Sequence, residues 1–124
     1  MATTAGTRHN FDELGARAFV TVWTLGNGDD GTPVEAPHYP DKTVQVYGTF
    51  GAGGTLLIEG TTATAAAGAT WATLNDPNGN ALSITAAKIE AVLENVWLIR
   101  PRVSAGDGTT SLTARILFSS SARR

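Results

Sequence analysis

The chain has 124 residues, of which 42% are hydrophobic, and a formal net charge of -2 at pH 7. This length fits one domain with a modest core, and the small charge gives no overall attraction to nucleic acid or to an anionic membrane. Cysteine is absent, which excludes disulfides, thiolate metal sites and a cysteine nucleophile. No apolar run approaches the roughly 20 residues that span a bilayer, and the first residues lack the layout of a signal peptide. We therefore expect a soluble protein that is not exported by the general route.

Residues 1–16 are mostly small and polar, which predicts an N-terminal arm. A first strand is expected from Arg17 to Leu25, and because large residues alternate onto both of its faces, this strand should be covered on both sides. Residues 26–41 contain Gly and Pro without periodicity and predict a loop of about 16 residues, a length that is unusual without a function.

The clearest pattern lies between Lys42 and Gly60. Val44, Val46 and Phe50 alternate with polar residues, then Gly51, Gly53 and Gly54 precede a second apolar run. Alternation with β-branched residues is typical of half-buried strands, and glycine supplies the positive φ angles of a tight reversal. The segment therefore predicts a β-hairpin.

The rest of the chain predicts further short strands. Residues 71–74 and 81–85 flank an Asn-Asp-Pro-Asn-Gly turn. In residues 86–95, the helical spacing of Ile89, Val92 and Leu93 predicts one or two helical turns. Pro101 places the next strand at a sheet edge or a bulge, and the last strand should bury the side chains of Leu112, Ala114, Ile116 and Phe118.

These elements predict an all-β fold, an antiparallel β-sandwich or jelly-roll of about seven to eight short strands with at most one short helix. The expected organisation is an N-terminal arm (1–16), a β-sandwich domain (17–119) and a basic C-terminal tail (120–124).

Residues suited to catalysis or metal binding are few. The two histidines, His9 and His38, stand in the arm and in the long loop, whereas zinc requires three or four ligands. No Gly-x-Ser-x-Gly elbow is present, and the acidic pair Glu90 and Glu94 has the spacing of a solvated helix face. We expect no enzyme activity, no catalytic or metal-binding residues and no cofactor.

Two binding hypotheses stay open. The Asp- and Gly-rich turns at residues 26–31 and 106–108 partly match calcium loops, although their spacing is not that of an EF-hand and turn chemistry explains them equally. A carbohydrate platform would draw on the large aromatic residues, which are Trp23, Tyr39, Tyr47, Trp71 and Trp97.

The charges are unevenly distributed. Residues 1–95 contain four Lys or Arg against ten Asp or Glu, whereas residues 96–124 contain five Arg against Asp107 alone. Arginine suits bidentate pairing with carboxylates and is enriched at protein interfaces. Two interpretations stay open: the arginines serve solubility, or the C-terminal part contacts an acidic partner surface or the acidic part of a second copy.

Three runs of the sequence resemble a known family. DKTVQVYGTFGAGGTLLIEG, WATLNDPNGNALSITAAKIEAVLEN and IRPRVSAGDGTTSLTARILF are similar to the capsid decoration (cement) proteins of tailed bacteriophages. The resemblance covers roughly residues 41–118.

The resemblance implies a non-enzymatic virion protein on the outer surface of the capsid, made in the bacterial cytoplasm. Its expected partners are the major capsid protein and further copies of itself, as a dimer or trimer, with no nucleic acid and no membrane. The alternatives are a carbohydrate-binding or host-adhesion β-sandwich and a tail or head-completion component of the virion. The expected contact residues are Arg8, His9, Phe11, Val34, His38, Tyr39, Arg100, Arg102, Arg115, Arg123 and Arg124.

Overall fold

A computed structural model describes residues 2–11 and 18–120, and it describes only the backbone of Asn10 and Phe11. These ranges contain no helix, and so no helix that could cross a membrane. The strands are β1 (Thr3–Thr4), β2 (Thr7–Phe11), β3 (Ala18–Gly26), β4 (Asp30–Gly31), β5 (Val34–Glu35), β6 (Asp41–Thr49), β7 (Thr55–Thr61), β8 (Ala72–Thr73), β9 (Ser83–Ile84), β10 (Lys88–Val92), β11 (Leu98–Ala105) and β12 (Ser111–Ser119).

The strands form two sheets. The five-stranded sheet has the order β10-β6-β12-β3-β2. The seven-stranded sheet has the order β1-β4-β11-β7-β8, with β5 also paired to β11 and β9 also paired to β7. Every pair is antiparallel except that of β1 with β4. The predicted all-β sandwich is confirmed.

The core lies between the two sheets and follows the alternation of the strands. In β12, Leu112, Ala114, Ile116 and Phe118 are fully buried, as predicted. β3 contributes Phe19, Trp23 and Leu25 to the same layer, while its other face is only partly buried. One side of β3 thus faces the core, and the predicted cover on its second side is absent from the described part of the chain.

The predicted hairpin between Lys42 and Gly60 is wrong. β6 belongs to the five-stranded sheet and β7 to the seven-stranded sheet, so the turn carries the chain across the sandwich instead of pairing its two strands. Val44 and Leu56 are both fully buried and project into the core from opposite sheets. The glycines still make the reversal, since Gly51 and Gly53 have φ of 72° and 68°.

The predicted helical turns in residues 86–95 are also wrong, because Lys88–Val92 is β10 and pairs along its length with β6. The helical spacing does not mark a buried face, since Ile89 and Leu93 are exposed and only Val92 is buried. Hydrogen bonds to β6, at the edge of the five-stranded sheet, hold this segment in the extended conformation.

Pro101 was expected at an edge or a bulge, and β11 lies inside its sheet between β4 and β7. On the β7 side, Pro101 is opposite Ile58. On the other side the pairing is interrupted between Ile99, which faces Val34, and Arg102, which faces Asp30. The missing N–H of proline is accommodated because β11 has no strand partner there.

The strands begin earlier in the chain than the predicted domain boundary at residue 17. β1 extends the seven-stranded sheet beyond β4, and β2 pairs with β3 at the edge of the five-stranded sheet. The predicted long loop also contains β4 and β5, which both pair with β11. Residues 2–11 therefore contribute edge strands to both sheets.

Candidate interaction surface

The outer face of the five-stranded sheet carries a candidate interaction surface. Residues directly opposite each other in adjacent strands project to the same side. Arg115 of β12 lies opposite Val22 and Gln45, and Leu117 lies opposite Val20 and Thr43. Together with Ile89 on β10, the central residues line a shallow groove formed by Val20, Thr43, Gln45, Ile89, Arg115 and Leu117.

This face, here called the groove face, carries large apolar side chains that no other part of the described chain covers. Ile89 is 59% exposed and Leu117 is 45% exposed. The open face of an antiparallel sheet is normally polar, and contiguous exposed apolar side chains mark sites of interaction. The arrangement is therefore suited to docking against another protein surface.

Arg115 lies among these apolar side chains and is half buried. No hydrogen bond or ion pair links its guanidinium group to any residue in the described ranges. A cation in this setting attracts an anionic group that arrives from outside.

Arg100 and Arg102 were expected to contact a partner, but the structure places them in an internal ion network. Arg100 contacts Asp30 at 3.1 Å and Glu59 at 3.0 Å, and Arg102 contacts the second oxygen of Glu59 at 3.1 Å. The guanidinium group of Arg100 also lies over the ring of Trp71, 4.1 Å from its centroid. The charges of these two arginines are therefore already neutralised within the chain.

The remaining predicted contact residues are dispersed. His9 is exposed and lies opposite Val20 at the edge of the groove face, whereas Arg8 on the inner side lies over the ring of Phe19 at 3.7 Å. Three others belong to the segment before β6: His38 is exposed, and Val34 and Tyr39 pack against the core. The Phe11 side chain and residues Arg123 and Arg124 lie outside the described part.

The structure does not assemble a carbohydrate platform from the five aromatic residues. Trp23 belongs to the core, Trp71 is covered by Arg100, and Tyr39 packs edge-on against Phe19. Trp97 and Tyr47 are 37% and 39% exposed.

The Asp-rich turns use their carboxylates to hold the chain itself. Asp29 accepts a hydrogen bond from the Gly26 N–H at 2.8 Å, and Asp30 pairs with Arg100. Asp107 accepts hydrogen bonds from the hydroxyl of Thr109 and from the backbone N–H groups of Ala52 and Thr109, and these lower its pKa to about 2. Within residues 2–11 and 18–120, no group of three potential metal ligands comes together.

A buried lysine, which the sequence analysis missed, lies at the end of the core. The Lys42 side chain is 1% exposed, and its Nζ donates to the Tyr39 carbonyl at 2.9 Å and to Asn95 Oδ1 at 3.4 Å. Burial lowers the pKa of Lys42, against the opposing effect of Asp41 and Glu94. Alternation in β6 places Lys42 on the inner side with Val44 and Val46, which is the one signal that pointed to its burial.

Glu94 is held close to this lysine. Burial raises the pKa of Glu94, but hydrogen bonds from the backbone and side-chain amides of Asn75, together with the charge of Lys42, lower it by more, so that the net shift is downward. The Asn75 contacts, at 2.8 and 2.7 Å, attach the segment after β10 to the turn after β8.

Known protein structures resemble this chain in fold. No protein-family model matches the chain, and no curated protein matches it. A cupin domain from Bordetella pertussis Tohama I is similar with a TM-score of 0.50 and 16% sequence identity, over 98% of this chain and 96% of that one. The two sheets therefore have a cupin-like jelly-roll architecture.

A second solved structure, from a study of the mechanism of oxalate oxidase, has a TM-score of 0.46 and 12% identity. The match covers 82% of this chain and 41% of that chain. The likeness to the cupin domain describes the fold alone. Function must be argued from the surfaces of this chain.

Proposed function

We propose that this chain is a non-enzymatic structural protein that binds the outer surface of a tailed-bacteriophage capsid and stabilises it by bridging major capsid protein subunits. The observation that carries the proposal is the groove face, a sheet surface on which the large apolar side chains of Ile89 and Leu117 stand exposed. A surface of this kind suits a protein whose work is association.

The resemblance to capsid decoration proteins supplies the particular partner. The first and third resembling runs form β6, β7, β11 and β12, and they contribute four of the six groove residues, which are Thr43, Gln45, Arg115 and Leu117. The resemblance thus falls on the surface that is suited to binding.

Aromatic side chains pack closely in one region between the two sheets. Phe19 and Phe118 stack with their ring centroids 4.6 Å apart, and Tyr39 packs edge-on against both rings. Trp23 fills the neighbouring region at 1% exposure. Packed side chains thus occupy this region between the two sheets.

Bridging would stabilise a shell by multivalency. When one contact has formed, further contacts by the same molecule, or by other copies in an oligomer, are effectively intramolecular. Weak individual contacts can then close seams between capsid subunits, and a dimer or trimer of the chain would increase the number of contacts made at once.

The test is to measure the copy number of the chain relative to the major capsid protein in purified virions, and to add the purified chain back to virions stripped of it. We expect a fixed high ratio to the major capsid protein, and rebinding that restores the resistance of the shell to heat. A few copies per virion would instead favour a tail or head-completion role. Absence from virions would contradict the proposal, and a change in tryptophan fluorescence on titration with sugars would redirect it to glycan adhesion.

A further inference from the structure

We infer that the groove face binds an apolar protein segment that carries a carboxylate, and that Arg115 pairs with this carboxylate. The inference deepens the proposed function and rests on it for the source of the segment, a capsid subunit. The sequence analysis treated all the C-terminal arginines alike, whereas the structure separates Arg115 from Arg100 and Arg102.

The Arg115 guanidinium group forms no ion pair within the described part of the chain. Arg100 contacts Asp30 and Glu59, and Arg102 contacts Glu59, all within 3.1 Å, so those arginines carry little free charge for a partner. Arg115 has no carboxylate neighbour of this kind among the described residues. The apolar side chains of Val20, Ile89 and Leu117 line the same groove.

The cost of burying the Arg115 guanidinium group determines which kind of partner fits the groove. Covering the groove with a purely apolar surface would remove the guanidinium group from water without a hydrogen-bond acceptor, which is strongly unfavourable. A carboxylate can accept two parallel hydrogen bonds from arginine, and such charge-assisted bonds are about twice as strong as neutral ones. A partner with apolar side chains around one Asp or Glu therefore fits both features of the groove.

Other occupants fit less well. A second copy stacked on the groove about a two-fold axis would bring two Arg115 guanidinium groups together, and like charges repel. A phosphate-rich surface would be matched by several cations, whereas the rows of side chains through Arg115 and Leu117 contain one arginine and, at their edge, His9.

Peptide selection tests the inference with any partner of this chemistry. A random peptide library is selected for binding to the full chain, and the affinities of enriched peptides are measured by fluorescence anisotropy. The variants are R115Q, R115K and L117Q, with K88Q as the matched control, since Lys88 is also an exposed cation of this sheet but lies outside the groove. Circular dichroism checks that each variant is folded.

We expect enriched peptides to contain Asp or Glu among apolar residues. R115Q should weaken their binding by at least ~10-fold, as expected when one partner of a buried charge pair is removed. Replacing the peptide's Asp with Asn should have the same effect, and the two changes together should add little. L117Q should also weaken binding, R115K should retain part of it, and K88Q should change it by less than ~2-fold, because exposed charges contribute little.

Three results would overturn the inference: no enrichment, enrichment of peptides without a carboxylate, or equal effects of R115Q and K88Q. If R115Q does not fold, the Asp-to-Asn change in the peptide still decides the point. Binding of the same variants to stripped shells separates the two proposals. Shells that bind wild type and R115Q equally would refute the inference alone, while peptide binding without shell binding would refute the capsid role alone.

Discussion

Replacing Glu59 with Gln should lower the free energy of unfolding by about 2–3 kcal/mol. The Glu59 side chain is 7% exposed and accepts contacts from Arg100 and Arg102 at 3.0 and 3.1 Å. Removing one partner of a fully buried pair costs about 3–5 kcal/mol. Because Arg102 is 34% exposed, water screens part of the loss here, and the expected cost is correspondingly smaller.

Urea denaturation at neutral pH measures this cost, and thermal unfolding gives an independent value. For 124 residues, the entropy of unfolding near the midpoint is roughly 0.26 kcal/mol/K, so the midpoint should fall by roughly 8–12 °C. E59Q, R100Q and the double variant complete a cycle in which the two single losses should not add, because each removes the same contact.

The matched control is E90Q, because Glu90 forms an exposed ion pair with Lys88 at 3.8 Å. Exposed pairs contribute about 0–1 kcal/mol, so E90Q should change stability by less than ~0.5 kcal/mol. If E59Q and E90Q had equal effects, or if the losses from E59Q and R100Q were additive, the ion network would not stabilise the seven-stranded sheet as argued.

Three further predictions concern the turns and the buried lysine. Hydrogen bonds lower the pKa of Asp107 from 3.8 to about 2, so its stabilising contribution should be present above pH 3.8 and be lost as the pH falls toward 2; unfolding midpoints of wild type and D107N across this range should converge at the acid end. Burial lowers the pKa of Lys42 from 10.5. Between the folded and unfolded pKa values the unfolded chain therefore binds more protons, and the free energy of unfolding should rise as the pH approaches 10.5. A K42M variant that shows the same rise would contradict this assignment. Gly48 has a φ of 127°, and an added Cβ would lie 2.5 Å from the Ser111 carbonyl oxygen. G48A should therefore cost at least ~2 kcal/mol in urea denaturation, against about 1 kcal/mol for G53A, whose Cβ would meet no atom within 4 Å.

The sequence predicted strands better than it predicted their partners. Alternation located β12 and its four buried residues, because burial on one face is a local property of a strand. The same alternation suggested a hairpin for β6 and β7. Two strands joined by a short glycine-rich turn have the same sequence pattern whether they pair with each other or lie in opposite sheets across a core. Pairing depends on distant segments: β6 lies between β10 and β12.

The candidate surface was predictable only in part. Arg115 was among the expected contact residues, but so were Arg100 and Arg102, which pair with Glu59 and Asp30 across 41 to 70 positions of the chain. No local pattern reveals such pairing. The exposure of Ile89 was not predicted, because its spacing with Val92 and Leu93 is that of a helix. A helix and an edge strand differ in their hydrogen-bond partners, which the sequence alone does not show.

The position of β12 has a consequence for biosynthesis. This strand lies between β3 and β6, and all nine of its residues pair with both neighbours. The centre of the five-stranded sheet is therefore the last of these strands to leave the ribosome. Until residue 119 emerges, β3 and β6 lack the strand that joins them, and their apolar residues remain available to chaperones or to misassembly. Folding of the sandwich should thus wait for β12 and be slow, as expected when the decisive contacts link distant segments.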